Sequence, residues 1–326
     1  KIHLMGVGQE IQFAPAITQV NLTASLPALT TTGTAIVGAA GAPILNGAGF
    51  ASGPILDLRA NDVRISGLTF VNGPAQSILV TSGARNIIGG NTIGVYPSAS
   101  SCKASAVTRY SETGIEVLSS GSSSSNPSAW IHGNVIGCHV GDGIRIIGGD
   151  YTLVGVDSSG LADGNWIGTN ASAADLPNNE GIRLDVAAGN GASRNQIRNN
   201  TIANNTLSGI ILRGNGSQDT SSTSLNIVAG NTVRDNSPGD NYGGLVLSFG
   251  AFWNTIGGAG DGDGNRIYGN GGPGIQVSAS DFNGILGNQI GATQIGMTNN
   301  TGQGIWMSTS DGNWIGGVFV VLTAFE

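Results

Sequence analysis

The chain has 326 residues, 55 of them glycine, with only 10% charged and a formal net charge of −7. Its lysines are Lys1 and Lys103 alone and no basic run exists, so nucleic acid and anionic membrane surfaces are poor partners. No apolar stretch approaches the roughly 18 residues of a membrane span, and no membrane insertion is expected.

Residues 1–53 carry Ile11-Gln12-Phe13, Val20-Asn21-Leu22 and Ile36-Val37, short segments that read as opening coils and an N-terminal cap. The chain starts at Lys1 without Met or a signal sequence, and reads as processed or partial. From 54 to 317 one phrase recurs. Gly-Ile-x-Leu/Val begins at Gly114, Gly143, Gly181, Gly209, Gly274 and Gly304, with Ile146 and Met307 in the last place at the second and sixth and Gly-Leu-x-Leu at Gly244, and the starts are 29, 38, 28, 35, 30 and 30 residues apart. A fixed phrase at variable spacing describes a stack of nearly equal units whose loops absorb the difference, hence one elongated domain.

One unit runs Gly181-Ile182-Arg183-Leu184, Asn195-Gln196-Ile197, Asn200-Thr201-Ile202. Three short strands per coil follow, in about nine coils. Period-2 alternation turns Ile182 and Leu184 inward and Arg183 outward. Helical spacing is absent, so the class is all-β, with helix expected only at an end cap. Residues 318–326 form a terminal strand. Val318, Phe319, Val320, Leu322 and Phe325, together with the outward Trp306 and Trp314, make an apolar end without a polar cap, read as an assembly contact with copies of the same chain.

The stretch Asn254-Thr255-Ile256-Gly257-Gly258 to Asn265-Arg266-Ile267-Tyr268-Gly269-Asn270, and Gly164-Asn165-Trp166-Ile167-Gly168-Thr169-Asn170 leading into Gly181-Ile182, carry a family likeness. The chain resembles right-handed parallel β-helices of the pectate-lyase-like fold, specifically the Asn/Gly-rich parallel β-helix repeat proteins of bacterial surfaces. The resemblance implies an extracellular or cell-surface solenoid. It implies little about activity, since this scaffold hosts lyases, hydrolases, epimerases, adhesins and inert spacers. The paired Asp-Asp, Asn-Thr-Asp, Gly-His-Gly and Arg-Ile-Lys phrases of polygalacturonase-like members and the Asp-His phrase of pectate lyases are absent.

The outward residue of each Gly-Ile-x-Leu strand is the informative set, because resembling polysaccharide enzymes lay substrate on that face. In coil order it reads Asp57, Leu79, Glu116, Arg145, Arg183, Ile211, Val246, Gln276 and Trp306, with Asp185 two residues beyond Arg183. Asp57 and Glu116, two coils apart, would have Cα atoms near ~9.5 Å, at the upper edge of the carboxylate spacing of inverting glycosidases. Arg145 and Arg183 would bind an acidic sugar or serve a lyase as base. The plainer reading is a cross-strand ion pair on a solvated face. Asn91, Asn134, Asn165, Asn200, Asn231, Asn265 and Asn288, which open the Asn-x-Ile phrases, read as scaffold, each amide bonding the coils on either side.

Asp261 and Asp263 begin a calcium-loop-like run without its distal Glu, and read as a polar turn; no cofactor is expected. His132 and His139 lack metal-ligand spacing. Cys102 and Cys138 are either a disulfide or two buried thiols. The sequence thus favours an exported, non-catalytic structural or adhesive element that self-assembles end to end into a filament or surface layer. The alternative is a carbohydrate-active enzyme, a polysaccharide lyase or inverting glycoside hydrolase, on the Gly-Ile-x-Leu face.

Overall fold

A computed structural model describes residues 8–316, apart from 15, 39–40, 98–99, 103–110, 119–122, 188, 220, 240–241 and 292–297. Thirty strands of two to five residues follow one another and assemble into three wholly parallel sheets of eleven, ten and nine strands. The first sheet runs from Glu10–Gln12 to Trp314–Gly316, the second from Gln19–Asn21 to Gln289–Ile290, and the third from Leu56–Leu58 to Ile305–Ser308. Each strand bonds its counterpart one coil before and one coil after. The result is a right-handed parallel β-helix of three strands per coil and about ten coils. No helix occurs among the described residues. The first two sheets already run through residues 10–46, and the third joins them at Leu56.

Alternation decides what fills the rod. Ile115, Ile144, Ile182, Ile210 and Leu245 stack in register, as do Val117, Ile146, Leu184 and Leu212, and all are fully buried. The other two walls contribute Ile197, Val228 and Ile256, and Ile202, Val233 and Ile267. Each such side chain stabilises the coil by about 1.5–3 kcal/mol, and the branched aliphatics suit extended backbone. The glycine of the repeated phrase has a steric cause. A Cβ on Gly181 would lie 2.4 Å from the Gly209 carbonyl oxygen, so only glycine lets successive coils approach there.

The corners are held by asparagine. Asn91, Asn134, Asn165, Asn200, Asn231, Asn265 and Asn288 form one unbroken column between the first and second sheets. In each link the amide Nδ2 and the main-chain N–H both donate to the next Oδ1, as Asn165 does to Asn200 at 2.8 and 3.0 Å, and Nδ2 also donates back to the preceding coil, here to Ile131 O at 2.8 Å. Two further columns were not foreseen. Asn195, Asn226, Asn254, Asn283 and Asn313 link at the corner before the first sheet. Asn178, Asn205, Asn236, Asn270 and Asn300 link after the second, headed by His139, whose Nδ1 lies 2.7 Å from Asn178 Oδ1. His139 is fully enclosed, and burial lowers its pKa to about 4.

Cys102 and Cys138 are bonded, with Cα atoms 5.5 Å apart. The bridge joins the long excursion before Gly114 to the coil, beside a small satellite cluster of Val95, Ala174 and Leu176.

Candidate active site on the third sheet

Strand pairing places the outward row residue by residue: Asp57 beside Leu79, Leu79 beside Glu116, then Arg145, Arg183, Ile211, Val246, Gln276 and Trp306. Asp57 stands two coils from Glu116 and is occupied locally, accepting from Arg59 Nε at 2.6 Å and Thr81 Oγ1 at 2.6 Å. The structure groups Glu116, Arg145, Arg183 and Asp185 and adds two residues that the strand pattern does not reveal, Asp142 and Glu180. Both immediately precede the repeat glycine. The bonds from Gly114 N to Asp142 O and from Gly143 N to Glu180 O set these two residues in one column.

The two arginines differ sharply. Arg183 is committed, donating to Asp185 Oδ2 through Nη2 at 2.8 Å and Nε at 3.1 Å, and to Glu180 Oε2 through Nη1 at 3.3 Å. Arg145 is not: its guanidinium stands 3.9 Å from Glu116, 3.7 Å from Asp142 and 3.7 Å from Asp185, and its buried Nε has no hydrogen-bond partner. Three carboxyl groups surround one cation without closing on it. Arg183 is thus engaged by its own strand and by Glu180, whereas Arg145 keeps longer contacts, that to Glu116 on the neighbouring strand among them.

The carboxyl groups are unequal too. Asp142 and Glu180 are buried carboxyl groups that act on each other, so ionising one opposes ionising the other. Burial first, then the Glu180 charge, push Asp142 up to about 7. Glu180 is also raised by burial, against the opposing pull of Arg183. Burial raises Glu116, countered by Arg145 and by a bond from Gln76 Nε2 at 3.2 Å. With one proton held on that pair, Glu116, Asp142, Glu180 and Asp185 carry one more negative charge than Arg145 and Arg183 neutralise. The face thus sets two buried carboxyl groups of raised pKa, Glu116 and Asp142, 3.9 and 3.7 Å from a single guanidinium.

The remaining sequence candidates lie elsewhere. Asp263 pairs with Arg198 at 3.1 Å and accepts from Gly260 N within its turn, while Asp261 is exposed beside it. Trp306 and Trp314 sit on the last described coil, and Trp314 is 70% exposed. Val318, Phe319, Val320, Leu322 and Phe325 lie outside the described residues. His132 is half-buried against Asp163 at 2.6 Å and ends a strand of the first sheet, whereas the charged face is on the third.

Residues 158–318, just under half of the chain, match the family described as periplasmic copper-binding protein (NosD). No curated protein matches the chain in sequence. Among solved structures it is similar to the A-module of a mannuronan C-5 epimerase from Azotobacter vinelandii, at 14% identity and a TM-score of 0.57, over 95% of this chain and 87% of that one. It is also similar to the Dettilon tailspike protein, at 16% identity and a TM-score of 0.56, over 91% of this chain and 54% of that one. A DFA-IIIase from Arthrobacter chlorophenolicus A6 aligns at 13% identity and a TM-score of 0.54, over 87% of this chain and 68% of that one. At such identities the likeness is one of fold.

The donor set argues against copper. The matched segment 158–318 holds neither His nor Cys, and its soft donors are the thioethers of Met297 and Met307 alone. Both cysteines of the chain are in the disulfide, and His139 is enclosed on Asn178. Soft thiolate, thioether and imidazole donors are what copper selects. Among the described residues no three His, Cys, Asp or Glu side chains group as metal ligands.

Proposed function

We propose that the chain is an exported carbohydrate-active enzyme that hydrolyses a polysaccharide lying along the outward face of the third sheet. The observation that carries this reading is Arg145 held loosely among Glu116, Asp142 and Asp185, beside the buried Asp142–Glu180 pair. A purely structural ion-pair row would close its contacts, as Arg183 does. The face is instead left with unused hydrogen-bonding capacity and a carboxylic acid protonated near neutral pH, which is what a general acid requires.

In this reading Asp142 delivers its proton to the glycosidic oxygen as the bond to the anomeric carbon breaks. Glu116 removes a proton from the water that attacks that carbon. The Glu116 and Asp142 carboxyl groups lie 3.9 and 3.7 Å from one guanidinium, and an inverting hydrolase needs them roughly 6.5–9.5 Å apart to leave room for its water. Arg145 orients the ring hydroxyls between them, and Arg183 and Arg145 offset the negative charge left as Asp142 empties. The excess negative charge and the saturation of Arg183 favour a neutral glycan over a uronate chain and disfavour a lyase. Two fold neighbours are named as enzymes, which supports an enzyme over a filament but not the choice of a neutral glycan, since the mannuronan of one is a uronate chain. The disulfide and the family described as periplasmic support export.

The test is incubation of the protein with inulin, dextran, mannan, galactan and alginate, following new reducing ends and the anomeric configuration of the products by NMR. A neutral polysaccharide should be cleaved with inversion, and Glu116→Gln and Asp142→Asn should each slow cleavage at least about a hundredfold. Full turnover in both variants, or none by the parent on any glycan, would sink the proposal.

A further inference from the structure

Three large aromatic side chains stand exposed on the corner between the third and first sheets, just past the charged face. Phe249 is 54%, Trp253 57% and Phe282 41% exposed. Trp253 and Phe282, from successive coils, have ring centroids 5.5 Å apart and planes 20° from parallel. Soluble proteins seldom leave such a group uncovered without use. Each of the three also occupies the left-handed backbone region, with φ of 55°, 53° and 56°, a conformation that is unfavourable for bulky residues. In the next coil that corner carries Gly312, where a Cβ would strike the Phe282 ring at 2.5 Å; its absence lets the ring lie flat along the rod.

A continuous track joins this patch to the charged face. Arg213 lies one residue beyond the Leu184–Leu212 pair, in the column that holds Asp185, and pairs across to Ser248. Its guanidinium lies over the Phe249 ring, 5.6 Å from the centroid. The path therefore runs from Arg145 through Asp185 and Arg213 to Phe249 and then to Trp253 and Phe282. Polar groups rim it: Gln218 Nε2 donates to Asp281, and Asp281 accepts from Asp311 N at 2.7 Å.

We infer that Phe249, Trp253 and Phe282 form a distal sugar-binding subsite, gripping by the C–H faces of its rings the same glycan that crosses Arg145. The inference rests on the glycan reading of the third sheet and extends it. The C–H faces of a pyranose or furanose are apolar and weakly positive, and they complement the negative face of an aromatic ring. Successive coils climb about 4.8 Å, close to the advance of one sugar per residue in an extended glycan, so adjacent rings meet adjacent sugars. Hydroxyl groups at the ring edges meet Gln218, Asp281 and Arg213. A protein partner would bury a broader apolar area than these three rings within a polar rim supply.

The experiment is native affinity electrophoresis through gels containing inulin, dextran, mannan or galactan, with tryptophan fluorescence titration against the corresponding oligosaccharides. The parent should be retarded by at least one polysaccharide. Trp253→Ala and Phe282→Ala should weaken that binding about tenfold each. Trp253→Tyr, which keeps a ring, should retain most of it, and circular dichroism checks that each variant is folded. Glu116→Gln should bind like the parent while failing to cleave, which separates this subsite from the catalytic reading. Unchanged binding in both alanine variants would overturn the subsite and leave the active-site reading standing. Loss of self-association in those variants, with glycan retardation unaltered, would make the patch a contact between copies and also overturn it. No retardation of the parent in any gel would do the same.

Discussion

The asparagine column from Asn91 to Asn288 and the charged row Glu116, Arg145, Arg183 are both stacks of polar side chains repeated coil by coil, yet they are in opposite chemical states. In the column every amide is buried and doubly engaged, and removing charge from the problem lets identical links repeat without limit. In the row an acid gives way to two arginines in different states, the Nε of Arg145 has no hydrogen-bond partner, and burial holds the Asp142 carboxyl protonated to higher pH than an exposed one. Saturated repetition marks structure here. Broken repetition with unmet capacity marks chemistry.

That contrast can be broken most forcefully inside the column. Asn200→Ala removes one partner from the bonds of Asn165 and the donors to Asn231 and Val154, leaving buried polar groups unpaired on both sides. A loss of about 3–5 kcal/mol is expected in guanidinium unfolding followed by circular dichroism. A loss under about 1 kcal/mol would show that the columns are ornament.

A second measurement uses pH. Asp142 stays protonated in the folded chain to about 7 but ionises near 3.8 when unfolded, so its stabilisation is complete below pH 4 and is lost as pH rises to about 7. His139 has the reverse sign: folded near 4 and unfolded near 6.5, it stabilises above pH 6.5 and loses that contribution as pH falls. The two nearly cancel across the same window, each on the order of 3 kcal/mol. Asp142→Asn should expose a stability that falls with acid, and His139→Asn one that falls with base. Parallel pH curves for the parent and both variants would refute the assignment.

The smallest stability effect should come from Glu116→Gln. Burial already disfavours its charge, and the amide oxygen can still accept from Gln76, so a change below about 1 kcal/mol is expected at neutral pH. A large destabilisation would return Glu116 to the scaffold.

Much of this was readable beforehand. Because the third-sheet phrase repeats with a strict two-residue alternation, the outward row from Asp57 to Trp306 could be written down in register without coordinates. The first asparagine column followed from the Asn-x-Ile phrase for the same reason. The column from Asn195 to Asn313 opens the same Asn-x-Ile/Val phrase one strand earlier in each coil, so it was equally legible; the third stayed hidden because its distance to the repeat glycine drifts, from Asn178 three residues before Gly181 to Asn236 eight before Gly244. Asp142 and Glu180 stand just before the strand phrase, where the two-residue alternation assigns no face. The available signal was an acidic residue directly before the repeat glycine in two successive coils and in no other. What no linear pattern carries is the looseness of Arg145 against the tight pairing of Arg183, which depends on how side chains lean across neighbouring coils.

The three corner columns also restrict how such a chain can change length. A loop between strands can grow freely, as the excursion held by Cys102 and Cys138 has done, because no column passes through it. A coil cannot gain or lose a part of itself, since a partial unit would throw all three columns out of step at once. Heritable growth of the rod is therefore quantised: it proceeds by copying entire turns, and a copied turn arrives with its amides already matched to both neighbours. Only the outward row is released by that duplication to diverge, which places new chemistry where the scaffold tolerates change.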